Sequence, residues 1–123
     1  MSSTNETNIR TNGDGQSEPQ HHIPSLVSVT PNAREIWEDY RNAIEAKAQK
    51  YFPMPATFQM VPLKMSILDI EGTKTYFFKA RVPNNKFVNV RVRLSGKAES
   101  RDNQVSVESR ASGGLDEEIT KIF

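Results

Sequence analysis

Any chemistry in this chain has to come from a short inventory. Histidine occurs twice, as the adjacent pair His21-His22, and cysteine does not occur. A His-His pair can ligate a metal, but in so polar a stretch a solvated pair is the simpler reading. Without cysteine there is no thiol nucleophile, no disulfide framework and no zinc-thiolate site. With both histidines in a polar terminal stretch, a Ser-His-Asp arrangement inside the folded part is excluded by inventory. Carboxylate pairs, lysine nucleophiles and Ser-Lys dyads remain open in principle, yet no spacing singles one out. The expectation is a protein that is not an enzyme and takes neither cofactor nor metal.

The charged residues with a pattern of their own lie between Tyr76 and Leu94. Lys79, Arg81, Arg91 and Arg93 interleave with Phe77 and Phe87 along alternating stretches. Basic and aromatic residues sharing one sheet face can bind single-stranded nucleic acid by phosphate contact and base stacking. The plainer alternative is a solvated face neutralised by Asp69, Glu71 and Glu108 on flanking strands. A formal charge of +1 supplies no field towards nucleic acid or membrane, which favours the plainer one. A register setting Lys79 opposite Arg91 would also place like charges face to face.

The element that holds these residues is a hairpin. Val88, Val90, Val92 and Leu94 alternate with Phe87, Asn89, Arg91 and Arg93, the period-2 pattern of a half-buried antiparallel strand. Pro83-Asn84-Asn85-Lys86 supplies the turn, since proline fixes φ and asparagine tolerates the left-handed region. Upstream, Thr30 as N-cap and Pro31 at the first position open one long helix. Ala33, Ile36, Trp37, Tyr40, Ile44, Ala48 and Tyr51 form its apolar stripe, and Pro53 and Pro55 end it near Tyr51. Ile23 to Val29 reads as a first strand or strand-like arm, with Pro24 disfavouring helix. Phe58 to Glu71 contains alternating stretches with Pro62 at a bulge. Ser95 to Gln104 reads as a flexible polar connection. Val105 and Val107 mark a further strand, and Ile119, Ile122 and Phe123 follow the Gly113-Gly114 turn as a terminal apolar anchor.

Residues 1–22 are polar and predict a disordered tail, leaving 23–123 as one domain. Asn5-Glu6-Thr7 matches a glycosylation acceptor by pattern alone. At 123 residues, with one Trp and six Phe, the chain suits one domain with a small core plus the tail. No apolar run approaches a membrane span, and no secretory signal is evident, so the expected setting is cytoplasmic, away from membranes. Helix followed by strands predicts an α+β fold, one long helix packed across an antiparallel sheet of four to five strands. The expected core is Ile36, Tyr40, Ile44, Phe78, Ala80, Val82, Val88, Val90, Val92 and Val107.

These elements and several motifs resemble the stefins, the type 1 cystatins. Tyr76-Phe77-Phe78-Lys79-Ala80-Arg81 followed by Asn84-Asn85-Lys86-Phe87 resembles the stefin hairpin, where an aromatic pair, Lys and Arg lead to an Asn-Lys-Tyr turn. Ile23-Pro24 resembles the stefin start, and Asp116-Glu117-Glu118-Ile119-Thr120-Lys121-Ile122-Phe123 resembles the Asp-Asp-Glu-Leu-Thr-x-Phe close. The resemblance covers about residues 23–123. It implies a cystatin-like fold and inhibition of papain-like cysteine proteases by a wedge. An N-terminal arm and two hairpin loops of that wedge occlude the active-site cleft.

Carried onto this chain, the wedge comprises Ser25 and Leu26 of the arm, Leu68, Asp69, Ile70, Glu71 and Gly72 of the first loop, and Gly96, Lys97 and Ala98 of the second. The family's first loop is Gln-Val-Val-Ala-Gly. Only the glycine is kept here, and two carboxylates have entered. An unpaired carboxylate in a desolvated interface is unfavourable by several kcal/mol, on the order of 3–5. That weakens binding to an ordinary papain-like cleft or redirects it to a cleft bearing basic residues. A non-inhibitory cystatin-fold interaction module is the alternative, and a nucleic-acid-binding sheet face a further one. Exposed strand edges also admit homo-oligomers formed by domain swapping.

Overall fold

In the computed structural model, residues 22–94, 101–120 and 123 are described. Apart from His22, the tail expected over residues 1–22 lies outside them, as do Gly96, Lys97 and Ala98 of the second loop and Ile122 of the anchor. The elements run β1 (Val27–Ser28), α1 (Pro31–Ala48), β2 (Pro62–Ile70), β3 (Thr73–Val82), β4 (Lys86–Leu94), α2 (Arg101–Gln104) and β5 (Val105–Val107). The five strands form one antiparallel sheet in sequence order, and α1 packs across one face. The architecture is α+β with the cystatin-like layout of one helix on a meander. Among the described residues, no helix is long and apolar enough to cross a membrane.

Helix α1 begins where its sequence says it should. Thr30 is extended, its hydroxyl accepts from the Ala33 N–H at 3.1 Å, and Pro31 occupies the first turn. Thr30→Ala is therefore expected to lower stability by about 1 kcal/mol in urea denaturation, with Thr30→Ser close to wild type. The helix stops at Ala48, three residues before the expected end. The chain then tightens, with the N–H groups of Lys50 and Tyr51 bonding the carbonyls of Lys47 and Ala48. That tightening turns Tyr51 off the stripe, and Phe52 packs against the core in its place.

Ala33, Trp37, Ile44 and Ala48 present one fully buried face to Tyr76, Phe78, Ala80, Val82, Val88, Val90 and Val92. Trp37 meets Phe78 edge-on at 5.2 Å between ring centres. Ile36, Tyr40 and Val107, expected in the core, are only partly buried at its rim. Polar bonds pin the helix crosswise, from Asn32 to the Tyr76 hydroxyl, from Tyr40 to Gln104 and from Lys47 to the Val105 carbonyl. Gln104 belongs to α2, so the connection expected to be flexible up to Gln104 ends in a helical turn that packs on α1.

The β2–β3 register is irregular between Pro62 and Lys64, where proline withholds a ladder donor. The β3–β4 turn is the three-residue loop Pro83-Asn84-Asn85, with φ of 69° and 56° at the two asparagines. This turn sets Lys79 opposite Asn89 and Arg91 opposite Phe77, so the like-charge facing of Lys79 and Arg91 is avoided.

Candidate functional site

The middle of the sheet face away from α1 is covered, contrary to expectation, while Arg81 and Arg93 towards its ends stay exposed. Phe77 and Lys79 have no exposed area. A second apolar cluster of Ile23, Leu68, Phe77 and Ile119 covers this face, with Leu26, Ile70 and Phe123 packed against it. Phe123 lies edge-on to Phe77 at 6.0 Å. The arm and the C-terminal segment thus cross the strands together. Neutralisation by Asp69, Glu71 and Glu108 is not the arrangement found. Of the three, Glu108 reaches this face, accepting from Asn89 Nδ2 at 2.8 Å. Phe77 is likewise withdrawn from any role in stacking bases.

Lys79 organises the covering segment. Its ammonium donates to the Gly114 carbonyl at 3.0 Å and to the Glu117 carbonyl. Glu117 closes the same turn, its carboxylate accepting from the Gly113 N–H and its own N–H bonding the Gly114 carbonyl at 3.2 Å. Burial lowers the Lys79 pKa from its ordinary value, and the charges of Glu117, Glu118, Glu108 and Asp116 oppose that shift. Arg91 donates to the Ser106 hydroxyl at 2.7 Å, and burial, with Arg93 nearby, lowers its pKa.

Of the residues expected in the wedge, those of the first loop stand at the end of β2, while Ser25 and Leu26 of the arm lie alongside its middle. Val27 pairs with Met65 antiparallel, so residues before Val27 run back towards the β2–β3 turn. The Ser66 hydroxyl donates to the Pro24 carbonyl at 2.7 Å, and the Leu26 N–H donates to the Glu118 carboxylate at 2.9 Å. Leu26 and Ile70 pack on the same cluster, while Ser25 is exposed. Leu68 is buried at 8% exposure, so it serves the cluster and is not available to a partner.

Glu71-Gly72 forms a two-residue turn between paired Ile70 and Thr73, with φ of 51° and 83°. Positive φ at both positions is what a type I′ hairpin turn requires. Gly72 meets it freely, whereas Glu71 holds a conformation unfavourable by about 1 kcal/mol for a side-chain-bearing residue. Asp69 accepts from the Gly72 N–H at 3.1 Å and lies opposite Lys74, so its carboxylate braces the turn. Glu71 is exposed at the apex. Lys74 pairs with Leu94, so the connection leaving β4 starts at this same end. Gly96, Lys97 and Ala98 within it lie outside the described residues.

The sequence reading did not find the part of Lys79, Glu117 and Glu118 in this layer. The one signal pointing that way was the pair of apolar residues Ile119 and Phe123 beyond a Gly-Gly turn. Comparison with protein-family models, curated proteins and solved structures finds no match to this chain.

Proposed function

We propose that this chain is a stefin-like inhibitor of papain-like cysteine proteases, acting by occlusion and not by catalysis. One observation supports the reading above the rest. The Glu71-Gly72 turn and the start of the β4–β5 connection share one end of the sheet, and the arm runs along β2 towards that end. A narrow edge of turns and arm fits a concave cleft, and a tight turn does not offer the extended peptide that a protease cleaves. Ile70 supplies apolar surface beside the apex, Leu26 packs further along the same cluster, and Glu71 adds a charge at the apex. The charge directs the wedge to clefts that hold a basic group.

The second reading is a non-inhibitory interaction module of the same fold, and the exposed Glu71 carboxylate at the apex favours it. Titration of papain and of a cathepsin with the folded protein separates the two. A stoichiometric or micromolar loss of peptidase activity is the expected result. Full activity of both proteases at micromolar folded protein would leave only the interaction module.

A further inference from the structure

Besides the β1–β2 pairing and the buried Ile23, two hydrogen bonds involving side chains tie the arm down, and the second has no counterpart in the sheet itself. The first is the Ser66 hydroxyl on the Pro24 carbonyl, at 2.7 Å, a bond between the arm and the strand it crosses. The second joins segments 92 residues apart, the Leu26 N–H donating to Glu118 at 2.9 Å. Glu118 can hold a fixed position because its neighbours are anchored. The Lys79 ammonium grips the carbonyls of Gly114 and Glu117, and Ile119 is buried at 4% exposure against Phe77 and Leu68. Glu118 therefore stands between a buried cation clamp and a buried apolar anchor.

We propose that Glu118 is a positioning residue that clasps the N-terminal arm to the C-terminal segment, fixing the arm's course along β2 towards the Glu71-Gly72 turn. The inference rests on the inhibitor reading for its consequence, not for its geometry. Strand β1 is only two residues long, Val27–Ser28, so its ladder alone gives the arm little hold. A carboxylate receiving a backbone N–H makes a charge-assisted bond with a defined direction. By fixing Leu26 it reduces the conformational freedom that the arm would otherwise lose on entering a cleft. The C-terminal segment is then part of the binding apparatus without touching a partner. Its effect appears in how long a complex lasts, since most changes at a related interface fall on dissociation.

The test uses the full chain with Glu118→Ala, which removes the acceptor, and Glu118→Gln, which keeps an oxygen at the same place. Amide hydrogen exchange followed by NMR should show Leu26 exchanging about tenfold faster in the alanine variant and near wild type in the glutamine variant. Exchange within α1 should be unchanged in both. Against papain, Glu118→Ala should dissociate about three- to tenfold faster, and Glu118→Gln within about twofold of wild type. Unchanged Leu26 exchange in Glu118→Ala overturns the clasp. Faster exchange throughout α1 in both variants overturns it as well, because the residue would then act on folding. A loosened arm with an unaltered papain dissociation rate removes the positioning role. If the wild type does not inhibit papain, the inhibitor reading falls while the exchange result still decides the clasp.

Discussion

Lys79→Ala is expected to destabilise the domain by about 3–5 kcal/mol, through two losses that add at one site. The lysine is fully buried, so truncation removes the packing of its four-carbon stem. It also strips the Gly114 and Glu117 carbonyls of the donor they share. Since small domains have only about 5–15 kcal/mol in total, urea unfolding should show a large shift to lower midpoint. Lys79→Met separates the contributions. It keeps the length of the stem and removes the buried charge, leaving only the carbonyls unpaired, so a smaller loss of about 1–2 kcal/mol is expected at pH 7. Equal losses for Ala and Met would show that the stem contributes nothing.

The same pair of proteins reads out the lysine's protonation. Burial holds the folded-state pKa below the ordinary value of 10.5. Between the folded and unfolded pKa values the unfolded chain binds more protons, so the wild type gains stability as pH rises through that window. Below both values the group is charged in either state and gives no slope. The stability difference between wild type and Lys79→Met should therefore be flat below the folded-state value and grow in favour of wild type as pH rises from it towards 10.5. Parallel stability curves up to that pH would show that the ammonium is not desolvated by the covering segment.

The helix face of the sheet was legible because its signal is local. Val88, Val90 and Val92 alternate within one strand, and Ala33, Trp37, Ile44 and Ala48 recur within one helix, so each pattern declares its buried side without reference to anything distant. The opposite face was misjudged because what covers it is remote. Lys79 meets carbonyls 35 and 38 residues further on, and no periodicity around Lys79 reports them. Lysine and arginine in alternation read as exposed because burial of such a group needs a partner that local sequence does not display. The hairpin register was left open for a different reason. Pairing Lys79 with Asn89 in place of Arg91 moves its partner by two residues, which leaves every side chain on its own face. Hydrophobic alternation is blind to such a shift, and turn length alone decides it. At the candidate site, the resemblance singled out Gly72 as the one residue kept from the family's first loop. The brace from Asp69 was not legible, since a carboxylate near a glycine looks the same whether it caps the turn or faces solvent.

That difference between the two carboxylates leads to the second large effect. Glu71→Asn should raise affinity for papain about 10- to 100-fold, whereas Asp69→Asn should change it by less than about threefold. Glu71 stands at the apex with an exposed carboxylate, so entry into a cleft without a basic group would strip its water unrewarded. Asparagine removes the charge and suits the φ of 51° that glutamate tolerates poorly, giving the Asn-Gly pair preferred in type I′ turns. A stability gain of about 1 kcal/mol in the free protein should accompany it. Asp69 already satisfies the Gly72 N–H, and asparagine offers the same acceptor, so its replacement tests charge without disturbing the brace. For a cleft lined with basic residues the order reverses, and Glu71→Asn should bind more weakly than wild type while remaining more stable. Inhibition constants and urea midpoints measured on the same preparations check both arms. A stability gain with affinity unchanged for every protease tried would place the apex outside the interface.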